Sequence, residues 1–306
     1  MKKKALAIFM ATALVLSGCS SSEAQTTSDQ ANNQEDVTED ATESEETSDD
    51  EAATPVSNEV TIENQEIFNQ DDLIVTVTGM KFDSLFGPQI AMLFENNTDK
   101  NLTVQARNVS VNGYMVDSSM SADIVSGKKS NDSLTIMDSS LEQCGIENIG
   151  EIEFSLHIFN SDDFMADNID SDPITLHTNL YGTFEQAYDD SGETIYDENG
   201  IKIISKGLNA EQSIFGPSVI LYVANSSDQF ITVQARDTSV NGFMVTPTMS
   251  IDVVPGKVAI SQMTFLDSDL EDNQIDSINT IETSLHILGE DITGSSIDTD
   301  PITLTF

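Results

Sequence analysis

The stretch TVQARNVSVNGYMV, residues 103–116, decides the fold because it holds a strand, a tight turn and a returning strand, and because the chain repeats it. The second copy, TVQARDTSVNGFMV, lies 129 positions later at residues 232–245. Each copy has Asn-Gly at its centre, at Asn112-Gly113 and at Asn241-Gly242. Both residue types accept the positive φ angles of a two-residue hairpin turn. The stretch therefore predicts the same β-hairpin twice.

Further segments recur at nearly the same spacing, so the duplication covers most of the chain. The recurring pairs are Gly87-Pro88 with Gly216-Pro217, Ser155-Leu156-His157-Ile158 with Ser284-Leu285-His286-Ile287, and Asp172-Pro173-Ile174-Thr175-Leu176 with Asp300-Pro301-Ile302-Thr303-Leu304. We place the repeats at residues 59–178 and 188–306, each the length of one β-sandwich domain. A short linker, 179–187, contains Tyr181 and Phe184, which indicates that the two modules pack together.

Strand periodicity within the repeats gives the fold class. Apolar residues alternate with polar ones along 114–124, and the second repeat keeps the same inward parity along 243–253. Such alternation is typical of a strand with one buried face. With seven or eight strands in each repeat, we predict an all-β protein: two tandem antiparallel immunoglobulin-like β-sandwiches after a disordered acidic tail. A small antiparallel barrel is the alternative.

The strand before each hairpin turn carries a fault in this alternation. In the first repeat the apolar residues at 102, 104 and 106 belong to one face, whereas those at 109 and 111 fall on the other. All five can face the core only if the strand contains one extra residue. We therefore predict a β-bulge at Arg107–Asn108 and again at Arg236–Asp237.

Two short motifs, Ser139–Glu142 and Ser268–Glu271, have the Ser-x-x-Glu spacing of a helix capping box. In a capping box the serine hydroxyl and the glutamate carboxylate each accept a hydrogen bond from the other residue's backbone N–H. We expect each serine to start a short helical turn where the chain crosses from one sheet to the other.

The chain begins like a secreted protein. Three lysines at 2–4 precede an apolar or small run from Ala5 to Leu16, which is shorter than the roughly 20 residues that span a bilayer and fits a secretory signal. The run leads into Leu16-Ser17-Gly18-Cys19, which resembles the lipobox of bacterial lipoproteins. The resemblance implies cleavage after residue 18, a diacylglycerol on the Cys19 thiol and an extracytoplasmic location on the bacterial cell membrane. A plain signal peptide (1–18) with an incidental cysteine is the alternative.

Residues 19–58 follow as a predicted disordered acidic tether. Residues 20–58 contain no Lys, Arg or aromatic residue, so they cannot bury enough apolar surface to offset the entropy cost of ordering. Without residues 1–18 the chain has 9 Lys and Arg against 53 Asp and Glu, a formal net charge of −44. Such a charge repels nucleic acid and anionic lipid headgroups. This excludes nucleic acid as a partner and leaves the lipid anchor as the link to the membrane.

The repeats also resemble the telokin-like, immunoglobulin-like domains of bacterial surface lipoproteins of unknown function. The matching pieces are the Asn-Asn-Thr-Asp-Lys turn at 96–100, the Val-Asn-Gly-Tyr hairpin at 111–114, and Val-Pro-Gly-Lys at 254–257 before a Thr-Phe strand at 264–265. The resemblance implies the sandwich fold and an extracytoplasmic role. It brings no catalytic residues and leaves the ligand open.

The two arginines of the chain, Arg107 and Arg236, stand at equivalent positions beside the predicted bulges. A guanidinium is a fork-shaped donor for a carboxylate or phosphate, so both are candidate ligand-binding residues. The structural alternative, which the sequence favours, is an ion pair or backbone brace at the bulge, with Asp117 opposite Arg107.

Phe86 and Phe215 stand beside the recurring Gly-Pro pairs and are two further candidate ligand-binding residues. An exposed aromatic side chain beside a tight turn could anchor a partner. The favoured expectation is that each phenylalanine plugs the end of its sandwich.

Neither a catalytic set nor a metal-binding set emerges from the sequence. Glu153, Ser155 and His157 alternate on one strand, but alternate residues are about 7 Å apart, and no Gly-x-Ser-x-Gly elbow is present. We expect them to form a solvated outer face. No cofactor is predicted. Calcium at Asp267–Asp272 is a less favoured alternative, because the segment lacks the glycine of an EF-hand loop.

The second cysteine, Cys144, has no disulfide partner if Cys19 is acylated, since the chain contains two cysteines. The second repeat has Asn273 at the matching place, which argues against an essential thiol. We expect Cys144 to be a small buried apolar residue.

These patterns favour a non-enzymatic lipid-anchored surface protein whose two modules bind an extracytoplasmic protein, glycan or wall component. The alternative is an accessory or ligand-binding lipoprotein that serves a membrane transporter or sensor. An enzyme is the least supported class.

Overall fold

The computed structural model of the chain describes residues 60–306 except 83, 164, 214 and 290–295, with the backbone alone at 211–213. The predicted signal peptide at 1–18, Cys19 and the tether at 19–58 lie outside the described residues. Residues 60–306 belong to one compact unit. Within the described ranges, neither helix is long and apolar enough to cross a membrane.

The first repeat forms two antiparallel sheets. Its elements are β1 (Gln65–Gln70), β2 (Leu73–Lys81), β3 (Gln89–Asn96), β4 (Leu102–Val111), β5 (Tyr114–Met115), β6 (Ser118–Ser119), β7 (Ser121–Ile124), β8 (Lys128–Ile136), α1 (Asp138–Gln143), β9 (Glu151–Asn160), β10 (Ile169–Asp170) and β11 (Ile174–His177). One sheet has the order β1-β2-β3-β8-β6. In the other, β9 pairs with β10, β11 and β4, and β4 pairs with β5 and β7.

The second repeat forms the same two layers. Its elements are β12 (Glu193–Glu198), β13 (Ile201–Ser213), β14 (Gly216–Asn225), β15 (Ile231–Val240), β16 (Phe243–Met244), β17 (Ile251–Val253), β18 (Val258–Thr264), α2 (Asp267–Asp272), β19 (Thr280–Gly289), β20 (Ile297–Asp298) and β21 (Ile302–Thr305). One layer runs β12-β13-β14-β18, and the other is built on β15 and β19. The predicted all-β fold of two tandem antiparallel immunoglobulin-like sandwiches is confirmed.

Each sandwich encloses a core of its own. The first core is formed by inward side chains such as Phe94, Leu134 and Phe154, and the second by Val223, Phe265 and Leu285. These side chains come from facing sheets, as in a sandwich, and not from one closed barrel.

The predicted hairpin and bulge are both confirmed. Val111 pairs with Tyr114 across the turn, where Asn112 has φ 48° and Gly113 φ 86°. The register of β4 against β9 shifts between Arg107 and Ser110, and Asn108 has φ 54°. The extra residue turns the apolar side chains on both sides of the bulge toward the same core.

The predicted short helices are present, but the capping boxes are wrong. α1 begins at Asp138 after the N-cap residue Met137, and α2 begins at Asp267 after Leu266. Neither N-cap residue makes a side-chain hydrogen bond to its helix. Ser139, the first residue of the motif, lies inside α1 and not at its N-cap. The hydroxyl of the next residue, Ser140, accepts a hydrogen bond from the Asp117 N–H and so links α1 to the segment after β5.

A buried asparagine, Asn96, closes the turn at 96–100. Its amide donates to the carbonyl oxygens of Lys100 and Ile124 at 2.8 and 2.9 Å, and its side-chain oxygen accepts from Thr98. Asn225 makes the equivalent bonds in the second repeat. A buried amide with all its partners satisfied fixes the loop against the sheet.

The two repeats share one continuous sheet. β5 of the first repeat pairs in parallel with β18 of the second, with Val258 opposite Tyr114. The Val258 N–H donates to the Gly113 carbonyl oxygen at 3.0 Å. Met115 packs against the second core, whereas Val258 and Ile260 pack against the first. The repeats are therefore joined edge to edge, and apolar side chains of each repeat pack against the core of the other.

Aromatic residues of the linker and of the start of the second repeat pack at this junction. The Tyr188 hydroxyl donates to the Asn112 carbonyl oxygen at 2.8 Å, and the rings of Tyr114 and Tyr188 lie 4.9 Å apart. Tyr181 stacks on His177 at 3.6 Å between ring centroids. The packing of the two modules is thus confirmed.

Candidate functional site

The candidate site is a cleft of about 500 Å³ between the two repeats. The bulge in β4 brings Arg107 to its wall, together with Asn108. The other polar groups in the wall come from both repeats: Asp117, Ser118, Ser140, Gln143, Ser250, Asp252, Ser261, Gln262 and Thr264. Beside the β5–β18 edge that joins the repeats, polar residues of both repeats form the two walls of the cleft.

Arg107 is the basic side chain of this cleft, and it stands among carboxylates. It is exposed, and no ion pair of its guanidinium is present within the described residues. Asp117, which the sequence placed opposite Arg107, lines the same cleft without reaching ion-pair distance. The Asp252 carboxylate accepts a hydrogen bond from Thr232 at 2.6 Å. The cleft can therefore offer a guanidinium fork and carboxylate oxygens to one ligand.

The bracing role that the sequence favoured for the arginines rests on their backbone and not on their guanidinium groups. The Arg107 carbonyl oxygen accepts from the Ser155 hydroxyl at 3.4 Å, and the Arg236 carbonyl oxygen accepts from Thr283 at 3.3 Å. Arg236 is exposed beside its own bulge. It does not line the cleft, so the structure places the two arginines in different surroundings.

Phe86 and Phe215 lie on the surface, and the expected plugs are wrong. The two side chains are 65% and 61% exposed. The backbone fills the space beneath them: the Asp138 N–H donates to the Phe86 carbonyl oxygen at 2.9 Å. Gly87 has φ 134°, and a Cβ there would collide with the carbonyl oxygen of Ile136. Because the main chain sits directly on the helix start, the aromatic ring is directed outward.

His157 and His286 are buried, which corrects the expected solvated face. His157 Nδ1 lies 2.6 Å from a carboxylate oxygen of Asp170, and His286 Nδ1 lies at the same distance from Asp298. The parity of the strand is as predicted, but the His157 ring contacts the Asp170 side chain of the neighbouring strand β10 and the ring of Phe159. Ser155 is bonded to a backbone oxygen, so the strand does not join a serine to the histidine. Asp170 and Asp298 were missed as partners, although their recurrence near each histidine was the available signal.

Cys144 is buried at the end of α1, as expected. Burial raises the pKa of its thiol to about 11, because a thiolate loses more hydration there than a thiol. Asn273 stands at the end of α2 and donates to the Asp269 carbonyl oxygen at 2.8 Å. Equivalent helices therefore end in a buried thiol in the first repeat and in a hydrogen-bonded amide in the second.

The acidic segment at 267–272 forms α2 rather than a loop around an ion. Across residues 60–306, the described part holds no group of three or more His, Cys, Asp or Glu side chains that could bind a metal ion. The acidic loop at the start of the second repeat forms ion pairs with lysines. The carboxylates of Asp189 and Asp190 lie 2.7 and 3.1 Å from Lys206 and Lys202, and the Lys206 hydrogen bond lowers the pKa of Asp189.

No protein-family model matches this chain, and no curated protein is similar to it in sequence. Two solved structures align over much of it. The YadV chaperone is 12% identical, with 77% of this chain and 100% of that chain covered and a TM-score of 0.23. The CsuC–CsuE chaperone–tip adhesion subunit pre-assembly complex of Acinetobacter baumannii is 14% identical, with 69% and 90% covered and a TM-score of 0.19. Because both TM-scores are low, the fold is assigned from the sheets of this chain and not from these two structures.

Proposed function

We propose that this chain is a non-enzymatic, lipid-anchored bacterial surface protein that binds a partner outside the membrane. Cys19 carries the lipid, and residues 19–58 form a disordered acidic tether. The two modules, of the telokin-like kind, present the binding surface. The partner is an extracytoplasmic protein, glycan or wall component.

The observation that carries this proposal is the exposed Arg107 guanidinium in the inter-repeat cleft. A carboxylate or phosphate of a ligand would supply the partner that Arg107 lacks within the described residues. The hydroxyl and amide groups of the walls would add hydrogen bonds, and Asp117 and Asp252 would receive donors or a cation. A ligand with an anionic group next to amide or amino groups, such as a peptide segment, matches this set.

A second candidate is the accessory or ligand-binding lipoprotein of a transporter or sensor. The volume of the cleft favours it, since about 500 Å³ falls within the range of roughly 300–1,000 Å³ for small-molecule sites. In that case the ligand is a small solute, and the protein partner is a membrane complex.

The test uses Arg107→Ala and, as a matched control, Arg236→Ala, an exposed arginine at the equivalent bulge outside the cleft. Crosslinking on live cells followed by mass spectrometry should identify a partner of the wild type. Arg107→Ala should lose it, Arg236→Ala should retain it, and both should keep the wild-type stability within about 0.5 kcal/mol. A co-purified solute lost with Arg107→Ala, together with a captured membrane complex, selects the second candidate. Equal binding by both variants contradicts the role of the cleft.

The anchor has a separate test. Cys19→Ala should release the protein into the medium, because stable membrane anchoring needs acyl chains that this variant lacks. A variant that stays with the membrane fraction contradicts the lipid anchor and leaves the binding test unaffected.

A further inference from the structure

The hairpin that joins the repeats has an exposed twin. In the first repeat, the hairpin Asn112–Met115 holds the edge of β18. In the second repeat, the equivalent hairpin Asn241–Met244 forms β16 at the outer edge of its sheet. Tyr114 is 1% exposed, whereas its equivalent Phe243 is 50% exposed and the following Met244 is 67% exposed. The hairpin of the first repeat is thus paired with a strand edge, whereas the equivalent hairpin of the second repeat is exposed.

The occupied copy shows what such a hairpin binds. Its ligand is a strand edge that contributes backbone hydrogen bonding, including that from the Val258 N–H to the Gly113 carbonyl oxygen, and two apolar side chains at alternate positions, Val258 and Ile260. Lys257, just before them, lies with its ammonium 3.2 Å from the Glu153 carboxylate. Both side chains of this pair are mostly buried. The recognised pattern is therefore basic, apolar, any residue, apolar.

The second repeat retains the turn and the carboxylate that contact this pattern in the first repeat. Asn241 and Gly242 keep the turn, with φ 50° and 86°, and Glu282 is the exposed equivalent of Glu153. A Cβ added at Gly242 would meet nothing within 4 Å, whereas one at Gly113 would collide with the Tyr188 hydroxyl. Gly242, the Phe243 and Met244 side chains, and Glu282 are all exposed.

We propose that the hairpin Asn241–Met244 is a docking site for the exposed strand edge of another extracytoplasmic protein. That strand carries a basic residue followed by apolar residues at the next and third positions, and it adds in parallel to β16. Strand addition of this kind uses backbone hydrogen bonds for affinity and alternate side chains for specificity. The inference rests on the proposed function and names a second surface and the kind of partner it takes.

A second copy of this chain does not supply such an edge. Its β18 is already paired with its own β5. The equivalent strand β8 begins Lys128-Lys129-Ser130-Asn131, with Lys129 and Asn131 in place of Val258 and Ile260. Lysine on a strand edge opposes edge-to-edge association. The Lys129 ammonium forms an ion pair with the Glu95 carboxylate at 2.6 Å. The basic residue is present there, but the apolar pair is not.

This difference provides the test, because restoring the apolar pair should create the missing edge. Lys129→Val with Asn131→Ile in the full chain should give concentration-dependent head-to-tail oligomers by sedimentation velocity, whereas the wild type should sediment as one species. Adding Met244→Asp should abolish the oligomers. Adding Glu282→Lys should weaken them, and Lys128→Glu in that background should restore them.

Three outcomes would overturn the inference. A grafted chain that keeps the wild-type circular dichroism spectrum but stays monomeric shows that the hairpin does not bind such an edge. Oligomers that survive Met244→Asp show that the edge associates without the hairpin. Wild-type oligomers abolished by Met244→Asp make a second copy the occupant. Partner loss with Arg107→Ala on cells would still support the proposed function, so the two failures are distinguishable.

Discussion

Truncation of the aromatic residue after each hairpin turn should have very different effects in the two repeats. Tyr114 and Phe243 follow equivalent Asn-Gly turns, but Tyr114 is 1% exposed at the junction and Phe243 is 50% exposed. Replacing a fully buried aromatic side chain by alanine costs about 3–5 kcal/mol, because the lost burial is compounded by a cavity. At Phe243 solvent fills the space, and half of the ring is already hydrated. We therefore expect Tyr114→Ala to lower the free energy of unfolding by about 3–5 kcal/mol and Phe243→Ala by about 1 kcal/mol.

The measurement is guanidinium unfolding followed by far-ultraviolet circular dichroism. Tyr114→Phe is the control for the hydroxyl, whose bond to the Ala187 carbonyl oxygen is long at 3.5 Å and should contribute about 1 kcal/mol or less. Because Tyr114 lies where the two cores meet, Tyr114→Ala should also separate one transition into two, as expected when domains lose their coupling. Equal destabilisation by the two alanine variants, or an unsplit transition at Tyr114→Ala, would refute the buried parallel junction.

Three further outcomes follow from local chemistry. Burial raises the pKa of Tyr114 from 10.0 to about 12, so the folded state holds the phenol proton more tightly than the unfolded state does. The stability from this group is intact below pH 10 and should fall by up to about 3 kcal/mol as the pH rises through 12. Alkaline melts of Tyr114→Phe should show a smaller loss, because the buried Cys144 thiol, with its pKa raised to about 11, still contributes. The Cys144 thiol, tested in the Cys19→Ala background, should react with a disulfide reagent only after unfolding, and fast reaction of the native protein at neutral pH would contradict its burial. Gly87→Ala should cost about 3 kcal/mol or more because its Cβ meets a backbone oxygen, whereas Gly127→Ala, at a positive φ with open space, should cost about 1 kcal/mol in thermal melts.

Local sequence rules predicted the elements of the repeat because those elements are set by neighbours in the chain. The Asn-Gly turn fixes the hairpin, and the change of parity after Ala106 fixes the bulge, since a strand with one buried face tolerates only one register. The burial of Cys144 was predicted on a different ground, namely that an acylated Cys19 leaves it without a disulfide partner. The capping motif at 139–142 misled because the helix begins at Asp138 after Met137, which leaves Ser139 inside the first turn and not at the N-cap.

The outward rings and the buried histidines depend on distant segments. Phe86 points to solvent because its backbone is pressed against the start of α1, a contact across about fifty residues that no local pattern contains. The buried His157 ring contacts Asp170 of the neighbouring strand β10 and the ring of Phe159. Each case is decided by a contact with another segment of the chain and not by local alternation.

The sequence by itself determined that this protein is a duplicated β-sandwich with paired hairpins, because a two-residue period and a 129-residue repeat are both properties of the chain. Only the tertiary structure decided how the copies differ. Val258 and Ile260 turn one strand edge into a ligand for the hairpin of the first repeat, whereas Lys129 and Asn131 leave the equivalent edge in water. The physical reason is that an edge becomes an interface only when its apolar side chains meet a partner that can remove them from solvent.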